Sequence, residues 1–90
     1  MRKLFFDDDI KINLREAYEW YERKKEGLGD DFLEAIQKSL DSISKNPTHY
    51  SFTDETKRRI IVRKFPYKII YQIFGNEIYV SAIFHFKQNK

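Results

Sequence analysis

From residue 58 to residue 87 the chain is three runs rich in Ile, Val, Tyr and Phe (58–65, 67–74 and 77–87), separated by nothing longer than a tight turn. β-Branched and aromatic residues at this density read as strands. Gly75-Asn76 is a two-residue hairpin signal, and Pro66 sits at the other turn, where a missing N–H is tolerated. Strands joined this tightly are antiparallel neighbours. Their apolar face has to be covered by whatever precedes them.

What precedes them is helical. After a short strand candidate at residues 2–6, Asp7-Asp8-Asp9 can cap a helix and suit its positive N-terminal dipole. Ile10, Leu14, Ala17, Tyr18 and Tyr21 then form one apolar stripe, with Glu16, Glu19, Glu22, Arg23 and Glu26 on the solvated face. Trp20, off the stripe, is read as a packing residue. Gly27-Leu28-Gly29 ends this helix. Asp30 and Asp31 favour a new start, with Asp31 and Glu34 at capping-box spacing. The second stripe is Phe32, Leu33, Ile36, Leu40 and Ile43, and Asn46-Pro47 stops it. Residues 48–56, with His49, read as a loop. The expected fold is α+β in the order β-α-α-β-β-β: an antiparallel helical hairpin packed on one face of a curved, mainly antiparallel sheet.

Ninety residues at 11.0 kDa, 41% hydrophobic and 17% aromatic, are enough for a single domain over residues 1–90. The absence of cysteine excludes a disulfide scaffold, a thiol nucleophile and thiolate metal sites. With two histidines only, neither a metal nor a cofactor is expected. No apolar run reaches the length of a membrane span, so the expectation is a soluble, cytoplasmic protein with no membrane partner. Residues 1–45 carry a formal charge of −2 and residues 46–90 carry +5. The basic half points to an anionic partner on one side of the molecule.

Hairpin register assigns the faces. With Gly75-Asn76 as the loop, Tyr67, Ile69, Tyr71, Ile73, Ile78, Val80, Ala82 and Phe84 line the core. Lys68, Ile70, Gln72, Phe74, Glu77, Tyr79, Ser81, Ile83 and His85 line the open side. An even turn centred on Phe65-Pro66 adds Ile60 and Val62 to the core, and Arg59, Ile61 and Arg63 to the open side. Arg63 then lies opposite Lys68, Lys68 opposite Ile83, and His85 one diagonal step away. Like charges opposed on a sheet are destabilising, so the pair reads as a place reserved for an anion. Arg and Lys can stabilise a phosphate's charge while His transfers a proton. The alternative is that these cations only protect an exposed sheet from aggregation. Phe74, Tyr79 and Ile83 could stack bases or serve a protein interface.

Ala17-Tyr18-Glu19-Trp20-Tyr21-Glu22, Gly27-Leu28-Gly29-Asp30-Asp31-Phe32, Asn46-Pro47, Arg58-Arg59-Ile60, Phe65-Pro66-Tyr67-Lys68-Ile69-Ile70-Tyr71 and Val80-Ser81-Ala82-Ile83-Phe84-His85 together resemble the RelE/ParE toxin superfamily, in particular the branch called plasmid stabilization system proteins. The resemblance implies a type II toxin–antitoxin toxin, monomeric or in a complex with a cognate antitoxin. It implies one of two targets. RelE-like members cleave mRNA in the ribosome without metal; ParE-like members bind and inhibit DNA gyrase. A degenerate toxin that only binds its antitoxin is a third reading. The first reading is the ribosome-dependent endoribonuclease, with His85, Lys68 and Arg63 as candidate catalytic residues and Arg59, Lys87 and Tyr79 holding RNA or flanking phosphates; gyrase inhibition and the degenerate toxin are the alternatives. Phe86 stands where one nuclease branch has Tyr, and His85-Phe86-Lys87-Gln88 lacks the Arg of the common His-x-x-Arg ending.

Overall fold

The computed structural model describes residues 2–86. Its elements follow the expected order: β1 (Lys3–Phe6), α1 (Asp8–Lys24), α2 (Leu28–Lys45), β2 (Lys57–Ile61), β3 (Tyr67–Phe74) and β4 (Glu77–His85). They make a four-stranded mixed sheet, β1-β4-β3-β2, in which β1 runs parallel to β4 and the other pairs are antiparallel. One face is covered by the helices. Ile10 and Tyr21 of α1 and Phe32, Ile36, Leu40 and Ile43 of α2 pack with Ile69, Tyr71, Ile78, Val80 and Ile83 of the sheet. Leu33, expected in the stripe, is 40% exposed, and Trp20, expected to pack, is 48% exposed. Trp20 rests edge-on against Tyr21, under the Lys24 ammonium at 4.7 Å.

The helical hairpin is tighter than its glycines suggest. Gly27 takes the left-handed conformation (φ 88°), but Gly29 is already inside α2, so the second helix begins before Asp30 and Asp31. In place of a side-chain cap from the helix's own sequence, Glu22 turns back from α1. Its carboxylate accepts the Gly27 N–H at 2.8 Å and the Gly29 N–H at 2.9 Å. An anion at a helix N-terminus satisfies orphan donors and the dipole together, so Glu22 is not simply part of a solvated face. Gly29 is required by close approach. A Cβ there would lie 2.7 Å from two carbons of the Tyr18 ring and 2.8 Å from the Glu22 carboxylate.

At the other end of α2, Tyr71 ties the sheet to the helix terminus. Its buried hydroxyl donates to the Pro47 carbonyl at 2.6 Å, and burial pushes the phenol up to about 12. The margin of β2 is partly occupied. Phe52 bridges Arg58, the Arg59 N–H donates to Ser51, and Asp54 accepts the Thr56 and Lys57 N–H groups, which holds its carboxyl below the usual range.

Two outcomes are expected from these contacts. Gly29→Ala forces Tyr18 aside and disturbs the Glu22 cap, costing about 1–3 kcal/mol in denaturant unfolding; in a Tyr18→Ala background its cost shrinks, because the ring contact has gone and only the Glu22 contact remains. Tyr71→Phe orphans the Pro47 carbonyl and costs about 1–3 kcal/mol. The Tyr71 pKa is raised in the folded state, so its contribution is complete below pH ~10 and is lost as the pH climbs through ~12. Alkaline unfolding of wild type and Tyr71→Phe should therefore converge over that window.

Candidate functional site on the open sheet face

Strand β4 must bury Ile78, Val80 and Ile83, which have 0%, 0% and 3% exposure. The first two are two apart and suit a regular strand; Val80 and Ile83 are three apart and do not. A bulge resolves the mismatch. Tyr71 pairs with Val80, but Ile70 pairs with Ala82, leaving Ser81 as the extra residue. Its hydroxyl donates to the Ile70 carbonyl at 3.4 Å. Without the bulge, Ala82 would face Ile69 in mid-core and leave the void of an Ile-to-Ala truncation, worth roughly 2–5 kcal/mol. One disturbed ladder bond costs only about 1 kcal/mol. Filling the core wins.

The bulge exchanges the faces of everything that follows. Ala82 and Phe84, expected in the core, lie on the open side, and Phe84 is 43% exposed. Ile83 and His85, expected on the open side, lie on the helix side. His85 pairs with Tyr67 and meets its ring edge-on, with centroids 5.2 Å apart. Tyr67 in turn packs on Phe32 at 4.9 Å. Lys68 pairs with Phe84 rather than Ile83, and its ammonium lies 5.4 Å from the Phe86 ring centroid. His85 and Lys68 are therefore on opposite sides of the sheet.

Arg63 is a second correction. Strand β2 ends at Ile61, which takes the place opposite Lys68 expected for Arg63. The turn is longer than two residues because Phe65 leaves the ladder. Its ring fills the aromatic cluster under the helices, 5.0 Å from Tyr21 and 5.4 Å from Phe32. Val62 remains buried and its N–H donates to Tyr67; Lys64 absorbs the reversal at φ 73°. Arg63 sits exposed in this turn. The turn is even-numbered, so the face assignments of Arg59, Ile60, Ile61 and Val62 stand. His49 packs edge-on against Tyr50 in the loop. Lys87 lies outside the described residues.

The open face thus carries Phe5 and Tyr79 as one direct pair, Ala82, Ile70 and Arg59 in the next outward row, and Phe84, Lys68 and Ile61 in the next. Arg59 keeps one guanidinium bond to the Phe52 carbonyl at 3.2 Å. Burial, followed by the nearby Asp7 carboxylate, raises the Tyr79 phenol above its ordinary value. The neighbours of Lys68 here are aromatic, aliphatic or cationic, so the face is built to hold an extended surface by ring contact and positive charge. The sequence left Phe84 and Phe86 out of this face; the ambiguous apolar pair Ile83-Phe84 beside small Ser81-Ala82 was the available signal.

The comparisons with known proteins agree with this architecture. The family model described as the ParE toxin of the type II toxin–antitoxin system, parDE, matches residues 4–90. The chain belongs to the ParE toxin family. No curated protein sequence matches it significantly. Among solved structures it is similar to the chromosomal ParDE toxin–antitoxin system from P. aeruginosa, with TM-score 0.69 and 16% identity over 94% of this chain and 96% of that one. It is similar to a chain of the intact E. coli RelBE toxin–antitoxin complex, with TM-score 0.70 and 18% identity over 92% and 94%. The isolated E. coli RelE toxin gives TM-score 0.72 and 17% identity over 100% and 89%. At such identities these likenesses show a shared fold. The RelE/ParE resemblance read from the sequence is borne out, and the ParE family is one of type II toxins. No helix among the described residues is long and apolar enough to cross a membrane.

The register has a direct spectroscopic consequence. Nuclear Overhauser contacts should join the His85 ring to Tyr67, and the Lys68 side chain to Phe84 and Phe86. Contacts between His85 and the Lys68 ammonium end would refute the bulge.

Proposed function

We propose that this chain is the toxin of a type II toxin–antitoxin pair, neutralised by a cognate antitoxin, and that it acts by binding its target rather than by cutting RNA. The observation behind this reading is the opposition of Lys68 and His85 across the sheet. General acid–base catalysis needs the proton carrier within about 3 Å of the reacting group or one water away. A phosphate held on Lys68 and Arg59 would be separated from the His85 imidazole by the strand itself. The match to the ParE family supports the same direction. The target class implied by the ParE-like resemblance is DNA gyrase.

In this reading Arg59 and Lys68 are the charged anchors of the target contact, Phe84 and Tyr79 supply ring surface beside them, and Arg63 reaches from the exposed turn. His85 serves packing against Tyr67. Expression without antitoxin should arrest growth with a DNA-damage response, and the purified protein should inhibit gyrase supercoiling. Reversing both Arg59→Glu and Lys68→Glu should weaken inhibition roughly tenfold or more, whereas His85→Ala should retain it. Cleaved mRNA after induction, abolished in His85→Ala, would establish the RelE-like alternative instead. Wild-type expression without any growth defect would sink the toxin reading itself.

A further inference from the structure

The margin of β1 differs from that of β2. Asp7 donates its N–H inward to the Val80 carbonyl at 3.0 Å, whereas Arg2 donates outward to the Ser44 carbonyl at 3.3 Å. Strand groups alternate with period two, so Lys3 and Phe5 bond toward β4 while Leu4 and Phe6 present N–H and C=O to the outside. The Ser44 hydroxyl donates to the Arg2 carbonyl at 2.7 Å and closes that position. Among the described residues nothing meets the outward groups of Leu4 and Phe6. Phe5 and Phe6 are 40% and 42% exposed beside them. An open apolar edge of this kind is a template for another strand.

The occupant follows from charge. Along the open edge, Lys3-Leu4-Phe5-Phe6-Asp7 reads as a cation, three apolar residues and an anion. Aligned antiparallel about Phe5, a second copy sets Leu4 against its Phe6 and Phe6 against its Leu4, matching outward groups to outward groups. The same alignment sets Lys3 opposite Asp7, twice by symmetry, while Arg2, closed by Ser44, and Asp8, the first residue of α1, lie outside the paired stretch. Registers centred on Leu4 or Phe6 also match the backbone, but they lose these pairings. A parallel copy in register brings like charges together, which is unfavourable.

We propose that β1 is a homotypic pairing edge, through which two copies join antiparallel about Phe5 and fuse their sheets. The pairing buries Phe5 and Phe6 and leaves the Lys68 region of the open face uncovered. It is independent of which target the toxin binds.

Sedimentation of the purified full-length chain should show a monomer–dimer equilibrium between micromolar and millimolar concentration. In hydrogen exchange, the Leu4 and Phe6 amides should slow as concentration rises. Lys3→Glu alone, or Asp7→Lys alone, should weaken dimerisation roughly tenfold, since two symmetric pairs become repulsive. An equimolar mixture of the two variants should dimerise again, because every pairing is then between opposite charges. A chain that stays monomeric throughout this range would overturn the proposal. So would a dimer indifferent to both substitutions, or Leu4 and Phe6 protection that arises only when a different protein is added. The exchange measurement uses wild type and decides the matter even if one variant fails to fold.

Discussion

The sheet has one covered face, and β4 has to serve it with residues whose spacing changes parity midway. Ile78 and Val80 belong to one alternation and Ile83 to the other. A small domain has little core to spare, and a void opposite Ile69 would take several kcal/mol from a total that is itself small. The bulge at Ser81 is the cheaper solution. Once it is in place, Phe84 faces outward beside Lys68, and His85 faces the helices beside Tyr67. Chemistry on the open face is thus decided by a packing requirement on the other side.

The same logic governs the turn between β2 and β3. Phe65 is worth more inside the Tyr21–Phe32–Tyr67 cluster than in a ladder at the rim, so the strand ends early and Arg63 is carried out of the sheet. Aromatic rings bury large areas and favour edge-to-face contacts, which this cluster supplies repeatedly. The helical hairpin is fastened from within by Glu22, a charged side chain recruited to satisfy backbone donors. What remains outside is a sheet face with Lys3, Lys57, Arg59 and Lys68 against Glu77. Ring surface and positive charge together suit a surface that holds a macromolecule.

Much of the fold was legible because its signals are local. The α1 and α2 stripes, the Asn46-Pro47 stop, the Gly75-Asn76 hairpin and the α+β order all appear in the structure. The helix start at Leu28 was not legible, since Glu22 caps it from another element. For the site, Lys68, Arg59 and Tyr79 were placed on the correct face. His85 and Arg63 were not. Ile83 and Phe84 are both large and apolar, so alternation alone could not say which one points inward.

Residue periodicity, turn chemistry and the lack of cysteine determined by themselves the class of fold, the order of its elements and the basic character of the sheet, because each depends on neighbours a few residues apart. Only the tertiary structure decided register beyond the bulge, the length of the Phe65-Pro66 turn and hence the company each polar side chain keeps. Those depend on how much volume lies beneath the helices, a quantity shared by residues from all six elements. Moving one residue across a strand inverts a face, so a small demand of packing becomes a large change in what the surface can do.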